Sequence, residues 1–203
     1  MINLIRRDLI IQKFQLYVFI PCILFFIFFG SHLSAFFIFV FAGFFIPINA
    51  YSYDEKAETN ILLNSLPYTR TQIIASRYIG AIFYMTVSIG IAVLLFYVFN
   101  RPFTWADIAI GVGITLTMFA FAFPLFYLLK PGHIGTAVTI GFILLVILMG
   151  PVITFFEEYL TPAVNFLSSV STSLLYLSSV GVITVLYAAS WLISQVIYQR
   201  KAF

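Results

Sequence analysis

Few residues in this chain of 203 can do chemistry, and their positions narrow what that chemistry is. There are two histidines, His32 and His133, and one cysteine, Cys22. In the topology derived below the histidines fall near opposite faces of a membrane, so they cannot share a metal. A lone cysteine inside an apolar run allows no disulfide framework within the chain and reads as packing filler. Glu157 and Glu158 are adjacent carboxylates in a polar stretch, which reads as a solvated acidic loop. No G-x-x-x-x-G-K-[ST] string occurs, so the chain has no P-loop to cradle ATP. What remains is Tyr51–Arg77, YSYDEKAETNILLNSLPYTRTQIIASR. It holds Asp54, Glu55, Lys56, Glu58, Arg70 and Arg77, six of the chain's charges, three of each sign.

The elements that must position this segment are apolar. The chain is 63% hydrophobic and only 8% charged, with mean hydropathy +1.09. A soluble domain would carry about a quarter charged residues. The expected class is an all-α integral membrane protein, one transmembrane domain over 1–203. Six apolar spans are predicted, at about 14–29, 33–50, 78–99, 108–129, 134–156 and 174–197. Each is near the ~20 residues that cross a hydrocarbon core as a helix. The first two are joined only by Gly30-Ser31-His32, a tight hairpin. Pro21, Pro47, Pro124 and Pro151 lie within spans and predict kinks, tolerated where neighbours satisfy the freed carbonyls. Residues 1–13, with Ile2, Ile5, Leu9 and Gln12 on one stripe, suit a helix lying in the membrane interface. No small-x-small cleavage site follows, so this segment is read as retained rather than as a signal peptide. Between spans five and six, 157–173 is half polar, and Pro162 starts a short helix expected to dip into the outer leaflet.

Lysine and arginine set the orientation. With the N-terminus in the cytoplasm, Arg6, Arg7, Lys13, Lys56, Arg70, Arg77, Lys130, Arg200 and Lys201 are inside and Arg101 alone is outside. Both termini are then cytoplasmic and 51–77 is the first cytoplasmic loop. This asymmetry also accounts for the net charge of +3 without invoking nucleic acid. Tyr17, Tyr51, Tyr53, Tyr127 and Tyr198 are assigned to the aromatic belts.

The loop itself reads as two short helices broken at Pro67. Asp54 and Glu55 are expected near a helix N-terminus, where negative charge is favoured. Leu66-Pro67 ends that helix, because the residue before proline is pushed out of the helical region. Thr69 or Thr71 then caps a second helix running through Ile73, Ile74 and Arg77 into span three.

No Asp, Glu, Lys or Arg lies inside any span. Ion-coupled transporters place such groups at depth despite their cost, so the energy source is expected outside this chain. Asn49, Thr86, Ser88, Thr115, Thr117, Thr136, Thr139, Ser178, Ser179 and Ser190 are read as bonding helix to helix or back to their own backbone. The phenylalanines crowding spans one and two, from Phe25 to Phe45, read as lipid-facing bulk, or as a greasy wall for an amphipathic cargo.

These features resemble the membrane (permease) subunits of type-2 ABC exporters, over nearly the whole length. The most specific part is Asp54-Glu55-Lys56 through Asn64-Ser65-Leu66-Pro67-Tyr68-Thr69-Arg70. It is similar to the acidic helix and SLP-x-[ST]-R string of small Gram-positive permeases, including phenol-soluble modulin exporters. The resemblance implies a coupling helix at 51–66 that docks in a separate P-loop ATPase subunit. Asp54, Glu55, Lys56, Glu58 and Thr59 would make the contact, with Arg6 and Arg7 nearby. It implies no enzyme activity or cofactor on this chain, with ATP and Mg on the partner. It further implies a second permease copy or homologue, a bacterial plasma-membrane location in contact with lipid, and an amphipathic peptide cargo. Glu157-Glu158 is similar to the paired glutamates of intramembrane CAAX-type proteases, but the arginine expected a few residues on is missing. The alternative is a six-span substrate-capture module of an uptake transporter. Those carry A-x-x-x-A on the first span, and Phe14–Phe29 has no alanine.

Overall fold

The computed structural model describes residues 17–30, 33–56, 69–129 and 171–200. Five helices run through them: α1 Tyr17–Phe29, α2 Ala35–Lys56, α3 Arg70–Val98, α4 Trp105–Leu128 and α5 Thr172–Arg200. There is no strand among the described residues. The last three helices are long and apolar enough to cross a membrane, while α1 and the Ala35–Ala50 part of α2 are apolar but shorter. They overlap the stretches expected as spans one, two, three, four and six, although α2 runs on to Lys56 and α3 begins at Arg70. The interfacial segment 1–13, the fifth expected span 134–156 and the external stretch to residue 170 lie outside the described residues.

The helix boundaries follow local chemistry. Thr69 caps α3 in extended geometry, with its hydroxyl accepting from the Gln72 N–H at 3.3 Å and the Gln72 side chain accepting from the Thr69 N–H at 3.1 Å. This reciprocal pair satisfies two donors that a helix start leaves open. It is the cap expected at Thr69 or Thr71, and the helix continues without a break from Arg70 through span three. Thr104 and Asp107 form the same box at the start of α4. One expectation changes. Tyr51–Lys56 do not open a new helix but extend α2. After Pro47, which α2 accommodates, no glycine or proline interrupts the chain before Pro67. Asp54 and Glu55 therefore lie late in a long helix rather than at a helix start.

Lipid gives no hydrophobic reward for bringing apolar helices together, so close packing must supply it. Helix α2 packs on both α3 and α4, and α4 packs most extensively on α5. Two glycines let α2 and α4 approach. A Cβ on Gly111 would lie 2.7 Å from the Phe39 Cβ, and one on Gly43 would lie 3.0 Å from the Thr115 hydroxyl. Rings fill the remaining seams. Phe26 meets Phe41 at 4.9 Å between α1 and α2, and Phe39 meets Phe96 at 5.1 Å between α2 and α3. Phe44 stacks on Phe119 at 5.5 Å between α2 and α4. The reading of these phenylalanines as lipid-facing bulk holds for Phe25, Phe28, Phe29 and Phe37, which are exposed. It fails for Phe39, which is fully buried. In contrast, α3 and α4 meet at few points.

Arg101 ties the short turn after α3 to the first hairpin. Asn100, at φ 51°, turns the chain through the left-handed region, where asparagine is tolerated better than most residues. The Arg101 guanidinium then donates to the carbonyls of Phe26 and Ile27 at 3.0 and 2.7 Å, and to those of Gly30 and Leu33. Carbonyls at a helix C-terminus have no partner in their own helix and carry partial negative charge, so one forked cation serves two carbonyls of the last α1 turn and two beyond it. The sequence reading gave Arg101 only a topological meaning. Beside it is an open depression of about 420 Å³, bordered by Ile27, Phe28, Leu33, Ala35, Phe99 and Arg101.

Candidate functional site

At the opposite end of the bundle, α3 starts where the polar segment stops. Its first residue, Arg70, reaches across to the C-terminus of α5. The guanidinium donates to the Gln199 carbonyl at 2.9 Å and more weakly to that of Tyr198 at 3.5 Å. The physics is that of Arg101 at the other end: an arginine supplies the donors that a helix C-terminus lacks.

Two turns further along α3, Tyr78 is 2% exposed. Its hydroxyl lies 2.8 Å from the Ser190 Oγ and 2.7 Å from the Ser194 Oγ, both on α5. The Tyr187 hydroxyl donates to the Tyr78 backbone carbonyl at 2.9 Å. The Tyr78 ring packs edge-on against Phe123 of α4 at 4.8 Å and against Tyr187 at 5.1 Å. Nearer the helix ends, Tyr127 of α4 meets Tyr198 of α5 at 5.4 Å. The sequence places Tyr127 and Tyr198 in an aromatic belt, yet both are buried. Ile183, Tyr187, Ser190, Ser194, Ile197 and Tyr198 form the inward stripe of α5. Only Ser190, Ser194 and Tyr198 on this helix are fully enclosed.

The seam is thus a run of hydroxyls and rings closed by an arginine. It can bind helices together and hold their relative positions. Among the described residues no group of three His, Cys, Asp or Glu side chains could hold a metal.

Of the residues expected to contact an ATPase, Asp54, Glu55 and Lys56 occupy the last turn of α2, at the same end as Arg70. Glu58, Thr59, Arg6 and Arg7 lie outside the described residues, so no described geometry brings the set together. The described interior hydroxyls behave as read, while Thr136 and Thr139 lie outside the described residues. Thr115 and Thr117 donate to the carbonyls of Gly111 and Gly113, both at 2.8 Å, Thr86 to that of Ile82 at 2.8 Å, and Ser190 bonds between helices. Ser194, Tyr78 and Tyr187 were not singled out. The spacing Tyr187, Ser190, Ser194, Tyr198, in steps of three and four, is the signal that marks them as one helix face.

Long apolar helices, joined by glycine contacts and pinned at their ends by arginines, define a multi-pass helical membrane protein. Over residues 3–199 the chain matches the family model described as ABC-2 family transporter protein, and it belongs to that family. It is therefore a permease subunit of an ABC transporter, a transport component rather than a catalyst in its own right. No curated protein and no solved structure matches the chain.

Proposed function

We propose that the chain is the permease subunit of an ATP-driven exporter, working with a second permease copy to enclose a path for amphipathic or hydrophobic cargo. The driving force comes from a separate ATPase docked on the 51–66 segment, with Asp54, Glu55, Lys56, Glu58 and Thr59 at the contact and Arg6 and Arg7 beside it. The observation that carries this reading is how the segment is mounted. It joins α2, which extends unbroken to Lys56, to α3, which starts at a fully formed cap on Thr69. A push on the segment passes directly into the long helices that border it. The family match supports an ATPase partner. The charge-free, aromatic spans support a peptide or lipid-like cargo over a sugar or ion. The excess of lysine and arginine at the Arg70 end supports a cytoplasmic position for that end in a bacterial plasma membrane.

The test is purification of the tagged chain from its native membrane in mild detergent. A stoichiometric P-loop ATPase is expected, lost on Glu58→Arg or on scrambling 54–60. A chain that emerges alone, or with a tightly held small molecule, overturns the coupling reading and favours a substrate-capture module.

A further inference from the structure

We propose that α3 is the strut that carries movement of the polar segment across the membrane, with Arg70 and Arg101 as the positioning residues that clasp it to other helices at its two ends. This rests on the proposed docking of an ATPase at 51–66. Three observations carry it. First, α3 is 29 residues long with no proline, a run of about 43 Å at 1.5 Å per residue, as is α5. In contrast, α2 and α4 contain Pro47 and Pro124, where a helix bends most readily. Second, an arginine stands at each end of α3 and bonds backbone carbonyls of a different helix end. Arg70 holds α5, and Arg101 holds the end of α1 and the residues joining it to α2. Such clasps do not depend on side-chain packing, and they fix both direction and distance. Third, α3 meets α4 at few points, the Tyr78–Phe123 ring contact among them, so it can shift against that helix with little packed interface to break.

A displacement entering at Thr69 is then felt in two places. Arg70, with Tyr78 behind it, drags α5. Arg101 drags the far end of the α1–α2 hairpin and reshapes the depression beside it. Its role is to keep the far end in step.

The experiment uses the complex of permease and ATPase in lipid nanodiscs, in a Cys22→Ser background with Ala35→Cys in the wall of the depression. The reaction rate with a membrane-impermeant maleimide is measured without nucleotide and after trapping with ATP and vanadate. In the parent the two rates should differ about threefold or more, within the range that couplings between distant sites span. In Arg101→Gln they should converge while ATP hydrolysis continues. Arg101→Lys keeps the charge but not the fork, and should retain only part of the difference. Equal rates in the parent, or an undiminished difference in Arg101→Gln, overturn the strut. If Arg101→Gln fails to assemble, Arg101→Lys decides alone, and an undiminished difference there overturns it too. Absence of the ATPase from the parent complex is a separate failure. It removes the proposed function and the strut together, whereas the other adverse results leave the function standing.

Discussion

Replacing Tyr78 by phenylalanine should cost less stability than removing the two serines it meets. The phenol hydroxyl is shared between Ser190 and Ser194 at 2.8 and 2.7 Å. Interhelical hydrogen bonds in membranes average about 0.6 kcal/mol and reach about 1.7. Two of them give Tyr78→Phe a cost of roughly 1 kcal/mol. The serines left behind have an escape: they can turn to carbonyls of their own helix, as Thr184 does toward Val180 at 2.7 Å. The reverse substitution offers none. Ser190→Ala with Ser194→Ala strands a phenol that is 2% exposed, and the Tyr78 carbonyl nearby already accepts from Tyr187. A buried polar group without a partner costs about 1–3 kcal/mol, so the double variant should lose about 2. The assay is unfolding of the purified chain in mixed micelles of rising dodecyl sulfate content, followed by helix content. The triple variant closes the cycle, and it should be no worse than the double, because the stranded hydroxyl is gone. If Tyr78→Phe proves as costly as the double serine variant, or costs more than about 3 kcal/mol, the hydroxyl-sharing account is wrong.

Other expectations test neighbouring parts of the fold. Gly111→Val places methyl groups where even a Cβ would sit 2.7 Å from the Phe39 Cβ. It should destabilise the α2–α4 contact by about 1–3 kcal/mol, as overpacking does, and unfolding in mixed micelles measures it. Thr104→Ala removes the box with Asp107 and should cost about 0.5–2 kcal/mol by the same assay, whereas Thr104→Ser should cost little. In a Cys22→Ser background, Ser34→Cys should react with an impermeant maleimide on intact cells, and Gln199→Cys only after permeabilisation. Labelling of both from one side would contradict the expected orientation.

Much of this arrangement could be read from residue types. The runs free of charge announced the described spans, and Thr69 was one of two threonines read as the cap; the glutamine three residues on is the signal that singles it out. The end of α2 was misread. Asp54 and Glu55 carry the composition of a helix start, but composition cannot tell a new helix from one that has not yet been told to stop. The next proline after Pro47 is Pro67, thirteen residues beyond Asp54. Arg101 was the larger miss. In sequence it is a lone cation in a short turn, and the carbonyls it serves lie some seventy positions earlier. Backbone acceptors leave no trace in side-chain identity, so only the folded hairpin could reveal its role. Phe39 shows a related blindness: in a span where nearly every residue is apolar, periodicity no longer separates the face toward a neighbour from the face toward lipid.

The sparse burial of α5 has a consequence for how that helix finds its place. Its apolar side chains face outward almost all round, and a greasy cylinder against greasy neighbours has many near-equivalent seats, one turn up or a fraction of a rotation away. Packing alone distinguishes these poorly in hydrocarbon. Ser190 and Ser194 can meet one tyrosine hydroxyl at a single depth and a single rotation, and Arg70 checks the same choice from the helix end. The few polar atoms therefore act less as glue than as a register lock. A chain lacking them could still insert its last helix, but in a mixture of positions.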